Sequence, residues 1–369
     1  MTKESINVWS YLEEYYQEED EIIEIIKNVF RSGRLILGEN VSNFEKEFSS
    51  YVDSKYGVGV GNGTDAIKLA LKAVGIKAGD EVLTVANTAV PTVSAIVETG
   101  ASPVFCDIDE ETYNISIKEV KGLISNKTKA IVCVHLYGHP AEIIELQNIC
   151  NENNIYLIED CAQSHGSKID EKKCGSFGDI SAFSFYPTKI LGTFGDGGMC
   201  VTSNEDNFKK LKMLRFYGME DQYFSLIDGV NSRLDEVHAA ILRHKLKKID
   251  EDINRRREIA KIYSEALADT DLILPIEKDN AFHSYYLYVV RHKERDSILK
   301  KLSELDINLN ISYPWPIHTM PPFENCKRGD LTSTETVAKE IFSLPMYPGL
   351  SNDKVNKVIK SLKNTLSFN

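Results

Sequence analysis

One lysine stands where a charged side chain is hard to accommodate. Lys189 lies in the stretch SAFSFYPTKILGTFGDGG (181–198), between an apolar, aromatic run and a glycine-rich turn. Protein rarely encloses a lysine unless an opposite charge or a chemical task accompanies it. One such task is nucleophilic, because an enclosed neutral amine can form an imine with a carbonyl compound. Lys189 is therefore the first candidate for a catalytic residue.

Two adjacent carboxylates, Glu159 and Asp160, end the apolar run IYLIEDCA (155–162). Parallel α/β sheets bind ligands at such strand ends, and a buried acid there is costly to ionise without a cation. An acid that caps the next helix or pairs with a structural arginine would also explain this position. Lys189 follows a later run of the same kind, so the acid and the amine could face one crevice.

A third feature is the glycine-rich stretch GVGVGNGTDAIKLAL (57–71), where Gly63, Thr64 and Asp65 open a helix-like segment. The amino terminus of a helix is a ready site for a phosphate. The stretch also satisfies the loose dinucleotide pattern G-x-G-x-x-A, but the acid that this fingerprint needs after the second strand is missing from VANTAV (85–90). A plain helix cap by Thr64 or Asp65 is a further explanation. We favour a phosphate cradle over a dinucleotide site.

These three features together match the needs of pyridoxal 5'-phosphate (PLP). The lysine can form the imine, and a carboxylate can keep the pyridine nitrogen protonated, so that the ring accepts electrons. The helix amino terminus can hold the phosphate. No single feature is decisive, but their order along the chain predicts a PLP site.

Seven apolar runs that alternate with helix-like segments must position these groups. Continuous apolar runs separated by helices are typical of a mostly parallel sheet with helices on both faces. We therefore predict an α/β fold with a seven-stranded sheet. The runs are 57–61, 81–86, 103–108, 130–136, 155–162, 181–187 and 198–203.

The carboxyl-terminal third has a different texture. Residues 232–267 predict a long helix with one buried face, and 283–292 predict a strand. A helix over 293–305 and a helix that runs into a loop over 334–348 complete a smaller α+β domain. We therefore predict a large α/β domain over 1–235, including an amino-terminal helical segment, and a linking helix with a small domain over 236–369.

Composition restricts the class of partner. The 369 residues carry a net charge of −12, which disfavours nucleic acid or an anionic membrane as a partner. The start of the chain has no signal-peptide pattern, and no apolar run reaches the length of a membrane span. Seven scattered cysteines without a C-x-x-C pair indicate reduced thiols and a cytoplasmic protein without a zinc site. His135 and His139 have metal-like spacing, but a glycine and a proline interrupt them, so we expect loop packing.

Four motifs resemble the DegT/DnrJ/EryC1/StrS family of PLP-dependent aminotransferases: GTDAIKLAL, EDCAQSHG, FSFYPTKILGTFGDGG and GVNSRLDEVHAAIL. The resemblance extends from residue 33 to residue 351. It implies the fold-type I aminotransferase architecture and activity on nucleotide-linked keto-sugars. Some relatives carry a histidine in place of the lysine and act as dehydratases, so Lys189 favours transamination.

The resemblance also implies roles for individual residues. Lys189 would hold the cofactor covalently and move a proton, Asp160 would pair with the ring nitrogen, and Gln163 would contact the ring hydroxyl. Ala89 departs from the aromatic residue that many relatives stack on the ring, and this leaves the stacking partner open. The other cofactor-binding residues would be Gly63, Thr64, the Asp65 amide and Ser184, together with Asn231, which would reach the phosphate of the neighbouring subunit in a homodimer.

The proline-rich segment NISYPWPIHTMPPF (310–323) is similar to relatives that aminate C3 of a dTDP-linked 3-keto-6-deoxyhexose. The amino donor would be glutamate, and the product an amino sugar for a surface polysaccharide, such as lipopolysaccharide, or a glycosylated metabolite. Amination at C4, a non-catalytic regulatory protein of the same fold, and an NAD-dependent oxidoreductase remain alternatives. The implied substrate contacts are Tyr313, His318, Arg233 and Tyr186.

Overall fold

The computed structural model of the chain describes residues 5–221 and 223–367. Helices cover the sheet and build most of the carboxyl-terminal part. They are α1 Leu12–Arg31, α2 Glu39–Tyr51, α3 Gly63–Ala73, α4 Val90–Glu98, α5 Ile117–Leu123, α6 Ile143–Asn153, α7 Glu205–Leu214, α8 Glu236–Leu246, α9 Ile249–Leu267, α10 Arg295–Ser303, α11 Thr332–Glu340 and α12 Asn352–Ser367.

Strands form one large sheet and several small ones. They are β1 Ile6–Asn7, β2 Tyr56–Val60, β3 Glu81–Val85, β4 Ser102–Cys106, β5 Thr128–Val134, β6 Tyr156–Asp160, β7 Lys168–Ile169, β8 Lys172–Lys173, β9 Ile180–Ser184, β10 Gly198–Thr202, β11 Met219–Asp221, β12 Phe224–Ser225, β13 Ala281–Phe282, β14 Tyr288–Arg291, β15 Ile307–Asn308, β16 Lys327–Arg328 and β17 Ile341–Leu344.

The large sheet confirms the predicted fold class. Its strand order is β16-β4-β3-β5-β6-β9-β10-β2, and neighbours are parallel from β16 to β9. Only β10 runs antiparallel to both of its neighbours, β9 and β2. All seven predicted strands are present. The eighth, β16, has only two exposed charged residues, so no apolar run announces it.

Apolar clusters on both faces hold this sheet between helices. One face packs against α3, where Ile67, Leu69 and Leu71 are almost fully buried. The other face carries an aromatic group in which the rings of Phe48 and Phe183 meet edge-on, with centroids 4.9 Å apart. Burial of such large side chains contributes about 1.5–3 kcal/mol each, so these clusters fix the strands whose ends carry the candidate site.

The predicted long helix over 232–267 is wrong in one respect, because it is two helices, α8 and α9, separated at Lys247–Lys248. Each helix serves a different cluster. Leu242 of α8 and Ile253 early in α9 pack beneath the large sheet, whereas Tyr263 near the end of α9 packs in a separate apolar cluster with residues of β14 and β17. A periodic pattern does not reveal such a change of packing partner.

Two further elements differ from prediction. Strand β14 is shorter than the predicted 283–292, because Tyr285 has a left-handed backbone conformation with φ of 48°. The predicted loop after the helix in 334–348 contains β17, which pairs antiparallel with β14. Its apolar sequence IFSL follows α11 without a break, so the sequence pattern does not show where the helix ends and the strand begins.

Short strands from the two ends of the chain pair with strands that are distant in the sequence. Strand β1 pairs in parallel with β15, and β16 adds to the large sheet beside β4. The division into 1–235 and 236–369 stays a prediction. At the proposed boundary, the buried Glu236 carboxylate accepts hydrogen bonds of 2.8, 3.0 and 2.8 Å from the amides of Gly38, Asn40 and Val41. Glu236 thereby joins the first turns of α2 and α8.

Within the described residues, no helix combines the length and the apolar character that a membrane crossing requires. All seven cysteines are free thiols, and six of them are buried.

Candidate active site

A cavity of about 280 Å³ lies at the carboxyl ends of β3, β5, β6 and β9. This is the edge at which open α/β sheets bind their ligands. Seven of the predicted site residues line it, together with Ala89 and Thr92. These seven are Gly63, Thr64, Asp160, Gln163, Ser184, Tyr186 and Lys189.

One end of the cavity is formed by the first turn of α3. Asn62 caps this helix, because its Oδ1 accepts a 2.8 Å hydrogen bond from the Asp65 amide. The predicted alternative, a cap by Thr64 or Asp65, is wrong. The cap thus engages the Asp65 amide, and the Asp65 carboxylate accepts a hydrogen bond from Ser232 Oγ at 2.7 Å. The part of this turn that faces the cavity is therefore formed by Gly63 and Thr64.

Gly63 allows this turn to approach Ser184. A Cβ atom added to Gly63 would lie 2.7 Å from Ser184 Cβ and 3.2 Å from its Oγ, closer than such atoms can pack. The glycine therefore brings a hydroxyl group from the end of β9 against the helix amino terminus. Hydroxyls and a helix amino terminus are the donor set of a phosphate site.

Asp160 ends β6 and faces the cavity while its side chain is buried. Its Oδ2 accepts from Thr92 Oγ1 at 2.8 Å, and its Oδ1 accepts from the Ala162 amide at 3.1 Å. Burial raises the pKa of Asp160, and these hydrogen bonds and the charge of Lys189 offset that effect only in part. A cation placed in the cavity beside this carboxylate would stabilise its ionised form.

Gln163 links the cavity to the proline-rich segment. Its Oε1 accepts from the Tyr137 amide at 2.8 Å, and its Nε2 donates to the Tyr313 hydroxyl at 2.6 Å. The Tyr313 ring also stacks on Tyr137, with centroids 6.4 Å apart. The predicted substrate contact Tyr313 therefore lies next to the cavity, although it does not line it.

Lys189 lies in the turn after β9, and its Nζ is 4.6 Å from the centre of the Tyr286 ring. The turn is held from below by Lys245, whose Nζ donates to the Gly192 carbonyl at 3.0 Å and lies 4.6 Å from the centre of the Phe194 ring. Burial lowers the pKa of Lys245, and nearby carboxylates offset that effect only in part. Lys189 thus lies on a turn that the contacts of Lys245 stabilise.

Three predicted residues lie away from this cavity. Asn231 is exposed, and Arg233 lies with its guanidinium carbon 5.4 Å from the centre of the Phe216 ring. His318 is buried, and its Nε2 is 3.1 Å from Glu335 Oε1. The single chain therefore does not bring these three residues to Lys189.

Sequence reasoning missed several residues of the site. Thr92, Tyr137 and Tyr286 contact predicted residues directly, but none stands in a chemically suggestive pattern. Thr92 alone had a signal, since it follows the segment in which Ala89 was singled out.

His135 was predicted to pack in a loop, and the structure gives it a definite partner. Its Nδ1 accepts from the Ala141 amide at 3.0 Å, so its Nε2 carries the proton and donates to Glu159 Oε2 at 3.0 Å. Glu159 also accepts from three amides and from Ser181 Oγ. This buried pair lies on the face of β6 opposite Asp160.

The residues around the cavity fit PLP. An amine, a buried acid with a raised pKa and the first turn of a helix line one cavity, and Gly63 allows a close approach that a larger residue would prevent. Ala89 supplies no aromatic ring to stack on the cofactor.

A model of the DegT/DnrJ/EryC1/StrS aminotransferase family matches residues 16–363. The chain belongs to this family. It is 48% identical over 368 residues to the dTDP-3-amino-3,4,6-trideoxy-alpha-D-glucose transaminase of Micromonospora megalomicea subsp. nigra, with 98% of each chain covered. It is also 39% identical to a pleiotropic regulatory protein of Geobacillus stearothermophilus, with 95% of each chain covered.

Among solved structures, the chain is similar to DesV of S. venezuelae, crystallised in complex with a ketimine intermediate. The TM-score is 0.95, the identity is 34%, and 98% of each chain is covered. The predicted family, fold and cofactor are confirmed, and the chain is a PLP-dependent aminotransferase.

Proposed function

We propose that the enzyme moves an amino group from L-glutamate to the C3 ketone of a dTDP-linked 3-keto-6-deoxyhexose. The observation that carries this proposal is the cavity in which Lys189 and Asp160 face one space beside the Gly63 turn. The relative from Micromonospora, a transaminase named for a dTDP-3-amino sugar, supports the choice of substrate.

The reaction divides into two halves that balance. In the first half, glutamate leaves its amino group on the enzyme, takes its new ketone oxygen from a water molecule and departs as 2-oxoglutarate. In the second half, the sugar ketone takes up that amino group and releases its oxygen as water. Bound PLP supplies an electron sink for the pair of electrons released when a C–H bond breaks.

The residues of the chain handle protons and orientation. Lys189 Nζ, as a neutral amine, takes the proton from the reacting carbon and returns it on the other side of the transfer. Asp160 holds the negative charge that keeps the ring nitrogen protonated, and its Thr92 hydrogen bond fixes its orientation. Ser184 and the first turn of α3 anchor the phosphate, which sets the distance from the reacting carbon to Lys189.

The sugar would approach through the open side of the cavity. Tyr186 is 51% exposed and lines the cavity, and Tyr313 is fixed to Gln163, so both can offer hydroxyl groups to a hexose. We keep Arg233 and His318 as predicted substrate contacts.

We propose that the enzyme works as a homodimer with shared active sites. Asn231 is exposed, as a residue that completes a neighbouring site would be in a single chain. Large apolar side chains are exposed on the same protein, including Leu35 at 51% and Phe224 at 67%, and would be covered in a dimer.

The free cysteines suit the cytoplasm, where such an enzyme would supply an amino sugar for lipopolysaccharide, another surface polysaccharide or a glycosylated metabolite.

A regulatory role is the second candidate, because one relative is named a regulatory protein. The intact set of Lys189, Asp160 and Gln163 supports catalysis instead.

The test is a panel of dTDP- and UDP-linked 3-keto and 4-keto sugars, incubated with PLP and glutamate. We expect a product one mass unit heavier than the keto-sugar in its ketone form, with the nitrogen on C3 by NMR, and formation of 2-oxoglutarate. The Lys189→Ala variant should form no product and should lose the absorbance of the lysine-bound cofactor. Amination only at C4 would contradict the choice of substrate, and cofactor binding without transfer from any amino donor would favour the regulatory candidate.

A further inference from the structure

We infer that Tyr286 is a further catalytic residue, whose ring face holds the Lys189 ammonium during the stages in which this amine is not joined to the cofactor. This inference rests on the proposed role of Lys189 as the proton carrier, but it does not depend on which sugar is the substrate.

The contact between the two side chains is direct. Lys189 Nζ lies 4.6 Å from the centre of the Tyr286 ring, within the range of about 6 Å over which a ring face attracts a cation. The Tyr286 hydroxyl is 3.1 Å from Thr188 Oγ1, on the residue that precedes the lysine. The ring is therefore held against the turn that carries the amine by two contacts, one with Lys189 Nζ and one with Thr188 Oγ1.

The backbone beneath the ring is also fixed. Arg256 Nη1 donates to the Tyr286 carbonyl at 3.3 Å and to the Met346 carbonyl at 3.0 Å. A Cβ atom added to Gly138 would lie 2.9 Å from the Tyr286 amide, so the two segments touch without side chains between them. Tyr286 is a fixed surface against which the flexible lysine stem can rest.

The charged and titratable groups around the amine explain why a ring face suits this position. Asp160 attracts the Lys189 ammonium but is reserved for the ring nitrogen. His165, whose pKa burial lowers to about 3, is neutral at physiological pH and offers no charge. Tyr313 is also neutral, because burial raises its pKa. Tyr286 supplies the remaining attraction.

The strength of this attraction matters for catalysis. A lysine that carries a proton between two carbons must be an amine at one moment and an ammonium at the next. A tight buried ion pair would keep it protonated, whereas no partner would leave a buried cation unstabilised. A ring face contributes about 0.5–2 kcal/mol, which favours the ammonium without trapping it.

The experiment compares the wild-type enzyme with Tyr286→Phe and with trifluorophenylalanine incorporated at position 286. Phenylalanine removes only the hydroxyl. The fluorinated ring keeps nearly the same shape but loses the negative potential of its face, so correct folding is expected for both. The protein is freed of cofactor, labelled with trace acetic anhydride, and digested, and acetylation of Lys189 is measured by mass spectrometry at pH 8 and pH 10.5.

We expect acetylation at pH 8 to be about 3–10 times faster with the fluorinated ring than with phenylalanine, because the unprotonated fraction of Lys189 rises when the cation loses its partner. At pH 10.5 the difference should shrink to less than about twofold. Equal rates at pH 8 would overturn the inference. An equal increase at both pH values would overturn it as well, since it would report only wider access to the lysine.

The second measurement uses the holoenzyme with glutamate alone, followed through the cofactor absorbance. The rate constant of the half-reaction should fall about threefold to tenfold from phenylalanine to the fluorinated ring, with an unchanged KM for glutamate. An unchanged rate constant would contradict a catalytic role. If the enzyme proved to use another sugar, both measurements would be unaffected, so failure of the proposed substrate and failure of this inference are distinguishable.

Discussion

Two neighbouring carboxylates on β6 have opposite surroundings. Glu159 points to one face of the sheet and accepts five hydrogen bonds, from His135 Nε2, from Ser181 Oγ and from three amides. Asp160 points to the other face and accepts two, from Thr92 Oγ1 and from the Ala162 amide. Both side chains are buried, with exposed fractions of 0% and 4%.

The difference appears in their pKa values. Burial alone would raise the pKa of Glu159, but the hydrogen bonds from His135 and the amides hold it below its usual value. At Asp160 the same burial effect prevails, and the pKa is raised. A structural acid is thus one whose acceptor capacity is filled by the fold, whereas a functional acid retains capacity toward a cavity.

The largest expected effect on activity comes from Asp160→Asn. The amide can still accept from Thr92 or Ala162, but it carries no charge for the ring nitrogen, so kcat/KM should fall about 10²–10³-fold. The free energy of unfolding should stay the same or rise, since a poorly solvated acid is removed. Steady-state kinetics and urea unfolding check both parts. Activity within tenfold of the wild type would remove Asp160 from the catalytic set.

Glu159→Gln should have the opposite profile. Its side-chain NH₂ group would face N–H or O–H groups that donate hydrogen bonds to the carboxylate in the wild type. The free energy of unfolding should therefore fall by about 3–5 kcal/mol. Activity per folded molecule, measured at low temperature, should remain within about threefold. Ser181→Ala is the matched control, because it removes one donor to Glu159 and should cost about 1 kcal/mol. A stable but inactive Glu159→Gln variant would reverse the comparison.

The smallest effect concerns a third carboxylate, Asp252, in the first turn of α9. Burial, followed by repulsion from Glu14, raises its pKa to about 6 from a usual value of 3.8. The folded protein therefore binds more protons than the unfolded chain between about pH 4 and pH 6, so this group lowers stability as the pH rises through that window.

Asp252→Asn should accordingly raise the free energy of unfolding by about 1 kcal/mol at pH 8, allowing for screening at a partly exposed site, and should give no gain at pH 4.5. Urea unfolding at both pH values is the measurement. The neighbouring Glu251, which is exposed, supplies the control Glu251→Gln. The same gain at both pH values would show that charge is not the cause.

The sequence predicted the sheet because its strands are buried on both faces, so they stand out as continuous apolar runs. It predicted Lys189 and Asp160 because these polar residues end or follow such runs, whereas Ser184 was predicted only from the family resemblance. It could not predict β16, whose two charged residues contribute only backbone pairing, or β17, which continues an apolar helix. The sequence also did not show that the fold surrounds Glu159 whereas Asp160 faces the cavity. Adjacent residues of a strand point to opposite faces of the sheet, and the sequence does not show which residues lie on each face.

The contact between Gly63 and Ser184 joins segments that are about 120 residues apart in the sequence, and the two are stitched together by β10. Gly198 pairs with Val60 on one side and with Ser184 on the other. Contacts between distant segments form slowly, because a long loop must close before they stabilise the chain. The contact between Gly63 and Ser184 can therefore form in its final shape only after the chain has been synthesised beyond Gly198.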